Sequence, residues 1–218
     1  MKRIYEIDFK AALFDLDGVV FDTEPQYTVF WGEQCRLYHP KQPGLEHRIK
    51  GQTLNQIYDA FFSGELLSEQ EVITKRLNDF ESQMDYKYIT GFLPYISLLR
   101  KKGVKTAVVT SSNVVKMNAV YAHHPNFRQF FDAILTSEDF AESKPSPDCY
   151  LRAASNLGME LNDCVVFEDS FNGLKSGRAA GMTVVGLSTT NAAEQIAPLC
   201  NLVIPDYQPL LDNCSSSI

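Results

Sequence analysis

The sequence predicts an α/β protein, a doubly wound parallel sheet carrying an inserted all-helical domain. Three observations carry this expectation. Six short apolar runs recur along the chain, at Ala11–Phe14, Thr106–Val109, Ala133–Leu135, Val165–Phe167, Thr183–Leu187 and Leu202–Ile204. Four of them are continuous rather than alternating, as befits strands covered on both faces. Helix-compatible segments separate the runs at Phe92–Lys102, Asn113–Tyr121, Pro147–Leu157 and Asn172–Ala180, and such alternation favours parallel pairing. The third observation is the stretch from Asp22 to Tyr88, which contains no convincing β run.

Taken in chain order, Ala11–Phe14 is the first strand, and the alternation stops directly after it. The next stretch is rich in helix formers and aromatics, with Tyr27, Phe30 and Trp31, then Ile57, Phe61 and Phe62, then Val72, Ile73 and Leu77 at helical spacing. It divides the chain into a core of residues 1–21 and 89–218 and a helical cap of residues 22–88. Pro25 and Gly91 are the expected hinge markers. Beyond the insert, Gly103, Gly158 and Gly181 each follow a helical pattern, where a left-handed residue ends a helix. Leu151, Ala154 and Leu157 form one expected core stripe, and Leu174, Ala179 and Ala180 another. The final Cys214–Ile218 segment is expected to fray.

Composition narrows the function classes. The 218 residues carry a formal net charge of -7, which argues against a nucleic-acid partner, since phosphate backbones are met with a basic surplus. Cys35, Cys149, Cys164, Cys200 and Cys214 are odd in number and scattered, so neither a disulfide framework nor a zinc site is suggested and a cytoplasmic home is expected. Met1–Asp8 lacks a signal-peptide core, and no run of eighteen apolar residues occurs, so no membrane association is expected. A monomer or weak homodimer is the expected assembly.

The chemistry-bearing residues stand at strand ends. Asp15 and Asp17 follow the first strand, on one side of it by period-2 geometry, and Gly18 frees the backbone to turn away. Asp-x-Asp-Gly is also an ordinary turn sequence. Its company argues for more. Thr110-Ser111-Ser112-Asn113 follows the second strand where a helix begins, offering hydroxyls and N–H groups to an anion. Ser112 and Asn113 read equally well as helix caps, which leaves Thr110 the better ligand candidate. Lys144 lies after the third strand in a loop stiffened by Pro145 and Pro147. Glu168 and Asp169 end the fourth strand, as a second acidic pair or as caps for the following helix. Four carboxylates from two strands make a hard oxygen site suited to Mg²⁺.

Other machinery is missing. His39, His47, His123 and His124 stand away from the strand ends, so no Ser-His-Asp or Cys-His arrangement is supported. Neither G-x-x-x-x-G-K-[ST] nor G-x-G-x-x-G occurs.

With those residues in view, the chain resembles the haloacid dehalogenase-like superfamily, and within it the β-phosphoglucomutase-like phosphatases with a helical cap. The resemblance rests on Asp15-Leu16-Asp17-Gly18-Val19-Val20-Phe21-Asp22-Thr23-Glu24-Pro25, Thr110-Ser111-Ser112, Ser143-Lys144-Pro145-Ser146-Pro147 and Phe167-Glu168-Asp169-Ser170 with Asn172-Gly173, in that order. It implies a Rossmann-like core and a Mg²⁺-dependent phosphatase of small phosphorylated metabolites such as sugar phosphates. Asp15 would then be the nucleophile forming an aspartyl-phosphate and Asp17 the acid/base, with Thr110, Ser111 and Lys144 binding the phosphoryl group. Asp169 would hold the metal with Asp15 and the backbone carbonyl of Asp17, assisted by Glu168 directly or through water. Lys50-Gly51 in the cap would contribute to substrate binding. The alternatives implied by the same resemblance are a hexose-phosphate mutase and a non-catalytic phosphometabolite-binding module. Leu54 where mutases of this branch carry Arg, and Tyr27 where they carry His, place phosphatase first.

Overall fold

Strand β1 (Ala11–Phe14) lies inside a six-stranded sheet in which every pairing is parallel. The computed structural model describes residues 2–215. The other strands are β2 (Lys105–Val109), β3 (Ala133–Leu135), β4 (Cys164–Glu168), β5 (Thr183–Leu187) and β6 (Leu202–Ile204). Their order is β3-β2-β1-β4-β5-β6, so the winding reverses between β1 and β4. Parallel α/β sheets open a crevice at such a reversal, beyond the carboxyl ends of the strands. Register aligns those ends, since Phe14 pairs with Val108 on one side and with Phe167 on the other.

Side chains alternate between two buried faces. Ala12, Phe14, Val108, Val165 and Phe167 join one apolar cluster with residues of the helices Phe92–Lys101, Val114–His123 and Gln208–Ser215. Ala11, Leu13, Ala107, Val109 and Val166 join the other, against the helices Asp148–Leu157 and Phe171–Ala179. Both faces being covered explains why these runs read as continuous hydrophobics.

Helix stripes differ in detail from the expected ones. In Asp148–Leu157 the buried residues are Cys149, Tyr150, Ala153 and Ala154, whereas Leu151 is exposed. Phe171–Ala179 buries Gly173, Leu174, Ser176 and Gly177 and exposes Ala179, because its small residues let the helix lie close to β4 and β5. Gly103, Gly158 and Gly181 all take positive φ just past a helix. The last helix is assigned through Cys214 to Ser215, and residues 216–218 of the segment expected to fray lie outside the described residues.

Between β1 and β2 come the helices Glu24–Tyr38, Glu46–Ile49, Leu54–Phe61 and Gln70–Gln83. They enclose a cluster of their own that includes Phe30, Trp31, Ile57, Phe62, Ile73 and Leu77, while Val72 is exposed. Thr53 and Gln56 close a capping box at the third of these helices. The chain leaves and re-enters the sheet-bearing part through a narrow neck, where Asp22 N donates to Lys87 O at 2.8 Å and Ile89 N to Val20 O at 2.9 Å. Pro25 lies in the first turn of Glu24–Tyr38, as suits a fixed φ, so it is not at the neck. Among the described residues no helix is long and apolar enough to cross a membrane.

Phe14 is the packing keystone below the strand ends. Its ring stacks on Phe167 at 4.7 Å and meets Phe92 edge-on at 5.6 Å, with Tyr207 at 6.3 Å. Phe14→Ala is expected to cost about 3–5 kcal/mol through lost burial and a residual cavity. Urea unfolding followed by circular dichroism will measure it as a lowered midpoint with an unchanged slope.

Candidate active site

The crevice at the β1/β4 reversal holds the charged residues that end the strands. Asp15 continues β1, with its N–H donating to Phe167 O at 3.0 Å. Thr110 continues β2 and donates its N–H to Leu135 O at 3.0 Å, while its Oγ1 accepts from Ser112 N at 3.0 Å. Lys144 reaches in from the loop after β3 and is fully buried. Its Nζ donates to Asp15 Oδ1 at 2.6 Å, to Glu168 Oε1 at 2.6 Å and to Val109 O at 2.9 Å. Three donors on a buried ammonium are thereby all used.

Asp15, Glu168 and Asp169 bring carboxylate oxygens within 4.8 Å of one another. Glu168 is held from all sides. Its Oε1 accepts from Lys144 and from Tyr150 Oη at 2.7 Å, and its Oε2 accepts from Asp169 N at 3.1 Å and Ser170 Oγ at 3.2 Å. Asp169 accepts a hydrogen bond from Thr190 Oγ1 on its Oδ2, and its backbone O accepts from Asn191 Nδ2 at 2.9 Å. Ser170 caps the next helix by accepting from Gly173 N at 3.1 Å.

The crowding of acids has an electrostatic signature. Burial, reinforced by Glu168 and Asp17 and opposed by Lys144, pushes the Asp15 carboxyl up to about 7. Burial, with Glu24, Glu168 and Asp15, drives Asp169 well above the carboxylate range. Burial by itself would push the Lys144 ammonium down, but Asp15 and Glu168 outweigh it and raise the group above the ordinary lysine range. Hard oxygen donors that resist ionisation in one another's company fit a divalent cation, whose charge removes the conflict.

Asp17 stands apart from that group. Its carboxylate accepts from Thr23 Oγ1, from Ser112 Oγ at 3.2 Å and from Lys116, with which it forms an ion pair. Gly18 takes φ +73°, and a Cβ there would collide with the Asp169 carboxylate, so a close approach as well as the turn requires glycine. The helical insert lies across the crevice, with Gln56 Nε2 donating to Lys144 O at 3.1 Å and Gly51 pressed against Ser170. The cavity so enclosed measures about 490 Å³, and Asp15, Asp17, Lys50, Gly51, Thr110, Ser111, Lys144 and Asp169 all line it. Glu168 lies behind this lining, as the brace of Lys144.

Sequence reasoning missed Lys116, Glu24, Glu81 and the loop after β5. Lys116 is buried one turn into the helix Val114–His123, its Nζ 4.6 Å from the Tyr27 ring centre, and Tyr27 Oη donates to Glu81 Oε1 at 2.7 Å. Nothing in its local pattern separates it from a solvated lysine. Thr189-Thr190-Asn191, by contrast, is a polar run at a strand end, the same signal that marked the other residues. Tyr27, which stands where mutases of this branch carry His, touches the cation that pairs with Asp17.

The strand ends of this doubly wound parallel sheet gather three carboxylates in one crevice, two of them bonded to a buried lysine, which makes the protein an α/β protein with an acidic, metal-capable site at its switch point. The model of the haloacid dehalogenase-like hydrolases matches residues 9–181, and the chain belongs to that family. Among curated relatives, fructose-1-phosphate phosphatase YqaB of Escherichia coli is 27% identical over 81% of this chain and 95% of its own length. The bifunctional riboflavin kinase/FMN phosphatase of Arabidopsis thaliana is 27% identical over 95% of this chain, which spans only 57% of that protein. Among solved structures, CbbY from Rhodobacter sphaeroides in complex with phosphate shares the fold with a TM-score of 0.75, at 22% identity over 95% of this chain and 99% of that one.

Lys116→Met is expected to destabilise the protein by about 1–3 kcal/mol, because Asp17 then keeps a half-buried charge without its cation. Calorimetry will read this as a melting point lowered by several degrees.

Proposed function

We propose that this hydrolase is a Mg²⁺-dependent phosphatase of small phosphorylated metabolites, sugar phosphates first among them, acting through an aspartyl-phosphate on Asp15. The observation that carries the reading is Lys144, buried and bonded to both Asp15 and Glu168, on the floor of a cavity that Asp169 also lines. Such a floor presents one nucleophilic carboxylate and a fixed positive charge to the same phosphoryl group.

Asp15 and Asp169 would hold the cation, together with the backbone carbonyl of Asp17, and Glu168 would support them from behind. When bound, Mg²⁺ supplies charge neutralisation to the carboxylates and the phosphoryl oxygens. In the first displacement an Asp15 oxygen bonds phosphorus and the ester oxygen leaves, taking a proton from Asp17. In the second, water attacks phosphorus, Asp17 takes its proton, and the bond to Asp15 breaks, releasing phosphate. Thr110, Ser111 and Lys144 would bind the phosphoryl oxygens throughout. Residues 22–88 would form the cap over the core of residues 1–21 and 89–218, with Lys50 and Gly51 on the substrate and the bond from Gln56 to Lys144 O as one seating contact. Closing it excludes water from the covalent step. Leu54 and Tyr27 line the cavity where a mutase needs groups for a second phosphate, which favours hydrolysis over phosphoryl return. A monomer or weak homodimer in the cytoplasm completes the proposal.

Asp15→Asn is expected to lower phosphate release from sugar phosphates by about 10³-fold or more with the circular dichroism spectrum retained. Chelation of divalent cations in the wild-type protein should stop turnover, and added Mg²⁺ should restore it. Undiminished turnover in the Asp15→Asn protein would overturn the mechanism.

A further inference from the structure

Each of the two acids that follow β1 is held by a lysine, and the two lysines hold them differently. Lys144 binds Asp15 within the carboxylate group that Glu168 and Asp169 complete. Lys116 holds Asp17 outside that group, through an ion pair to its Oδ2. Ser112 Oγ donates to the same oxygen at 3.2 Å and Thr23 Oγ1 donates to Oδ1, so three donors fix one carboxylate that still lines the cavity.

Packing alone does not account for a lysine at this place. Lys116 lies on the buried face of the helix Val114–His123 with Met117 and Val120, and it is 2% exposed. An apolar side chain would fill that position without desolvating a charge, and buried ion pairs are poor stabilisers beside apolar residues of similar volume. The lysine is also confined. Its backbone N–H donates to Asn113 Oδ1 at 2.9 Å, and its Nζ lies 4.6 Å from the Tyr27 ring centre, where a desolvated cation is attracted to the ring face. The ring is fixed in turn, because Tyr27 Oη donates to the buried Glu81 carboxylate at 2.7 Å and Tyr86 Oη donates to Glu81 O at 2.9 Å.

A divalent cation held by Asp15 and Asp169 attracts further carboxylates, and one that binds it is lost to proton transfer. We infer that Lys116 is a positioning residue, which keeps the Asp17 carboxylate apart from the cation-binding acids and available to protonate the ester oxygen and to activate water. This rests on the phosphatase reading for the role of Asp17. It adds the residue that sets where Asp17 stands.

The test compares Lys116→Met with the wild-type protein in Mg²⁺, using glucose 6-phosphate and p-nitrophenyl phosphate, whose leaving group departs without a proton. For glucose 6-phosphate, kcat is expected to fall about 10²-fold with KM within about threefold of the wild-type value, the split left by an interaction that acts in the transition state. With p-nitrophenyl phosphate the first turnover should survive as a burst and the steady state should slow, because the aspartyl-phosphate then waits for activated water. Lys116→Arg, which keeps a cation, should recover part of both losses. Crystal structures of the wild-type and Lys116→Met proteins with Mg²⁺ should show the Asp17 carboxylate leaving Ser112 Oγ in the variant. An unmoved carboxylate, or an equal loss on both esters with no burst, overturns the inference. Should Lys116→Met not fold, Tyr27→Leu keeps the ion pair but removes the ring, and it should show the same split between the esters at about tenfold; an equal effect on both overturns the inference there too. If Asp17 moves in the variant while the wild-type protein hydrolyses neither ester, the phosphatase reading fails and the positioning stands.

Discussion

The arrangement depends on one buried ammonium. Lys144 ties the carboxylate that ends β1 to the one that ends β4, across the place where the sheet reverses its winding. Without it, Asp15, Glu168 and Asp169 would place mutually repelling acids in a region of low dielectric. The lysine also accepts a fixed position in return, because Val109 O and the Tyr150 ring confine it from the other sides. A charge so confined is fixed in place beforehand, the condition under which preorganised sites gain their effect.

Around this centre the fold separates two electrostatic regions. Buried strands and aromatic packing below Phe14 give the floor its rigidity, and the backbone bonds of Asp15 and Thr110 extend the sheet into the site itself. Above it, the helical insert contributes carboxylates and aromatics from helices that enclose a cluster of their own. Strand ends therefore furnish the groups proposed to act on the phosphoryl end, and the insert furnishes the rest of the cavity lining. The Tyr27–Lys116–Asp17 contact joins the two regions.

Much of the fold was legible because two-sided burial leaves a plain mark: continuous apolar runs, each followed by polar residues and separated by helices that stop at glycine. All six expected strands are present, with β2 and β4 one residue longer at their starts and β4 one longer at its end. Helix faces were less legible. Leu151 and Ala179 fit an apolar stripe by spacing, yet the packed faces are those of Cys149, Tyr150, Ala153 and Ala154 in one helix and of Gly173, Leu174, Ser176 and Gly177 in the other.

The sequence by itself determined the parallel α/β class, the helical insertion, the family and the short roster of polar residues at strand ends, since each is written in local order and spacing. Only the tertiary structure decided how those residues divide. It set Lys144 between Asp15 and Glu168, turned Asp17 toward Lys116, withdrew Glu168 behind the lining and buried Glu24 against the cavity. The physical reason is that charge pairing depends on distances between residues far apart in the chain. Lys116 and Asp17 are 99 positions apart, and Lys144 and Asp15 are 129. No local pattern records which carboxylate a distant lysine will meet.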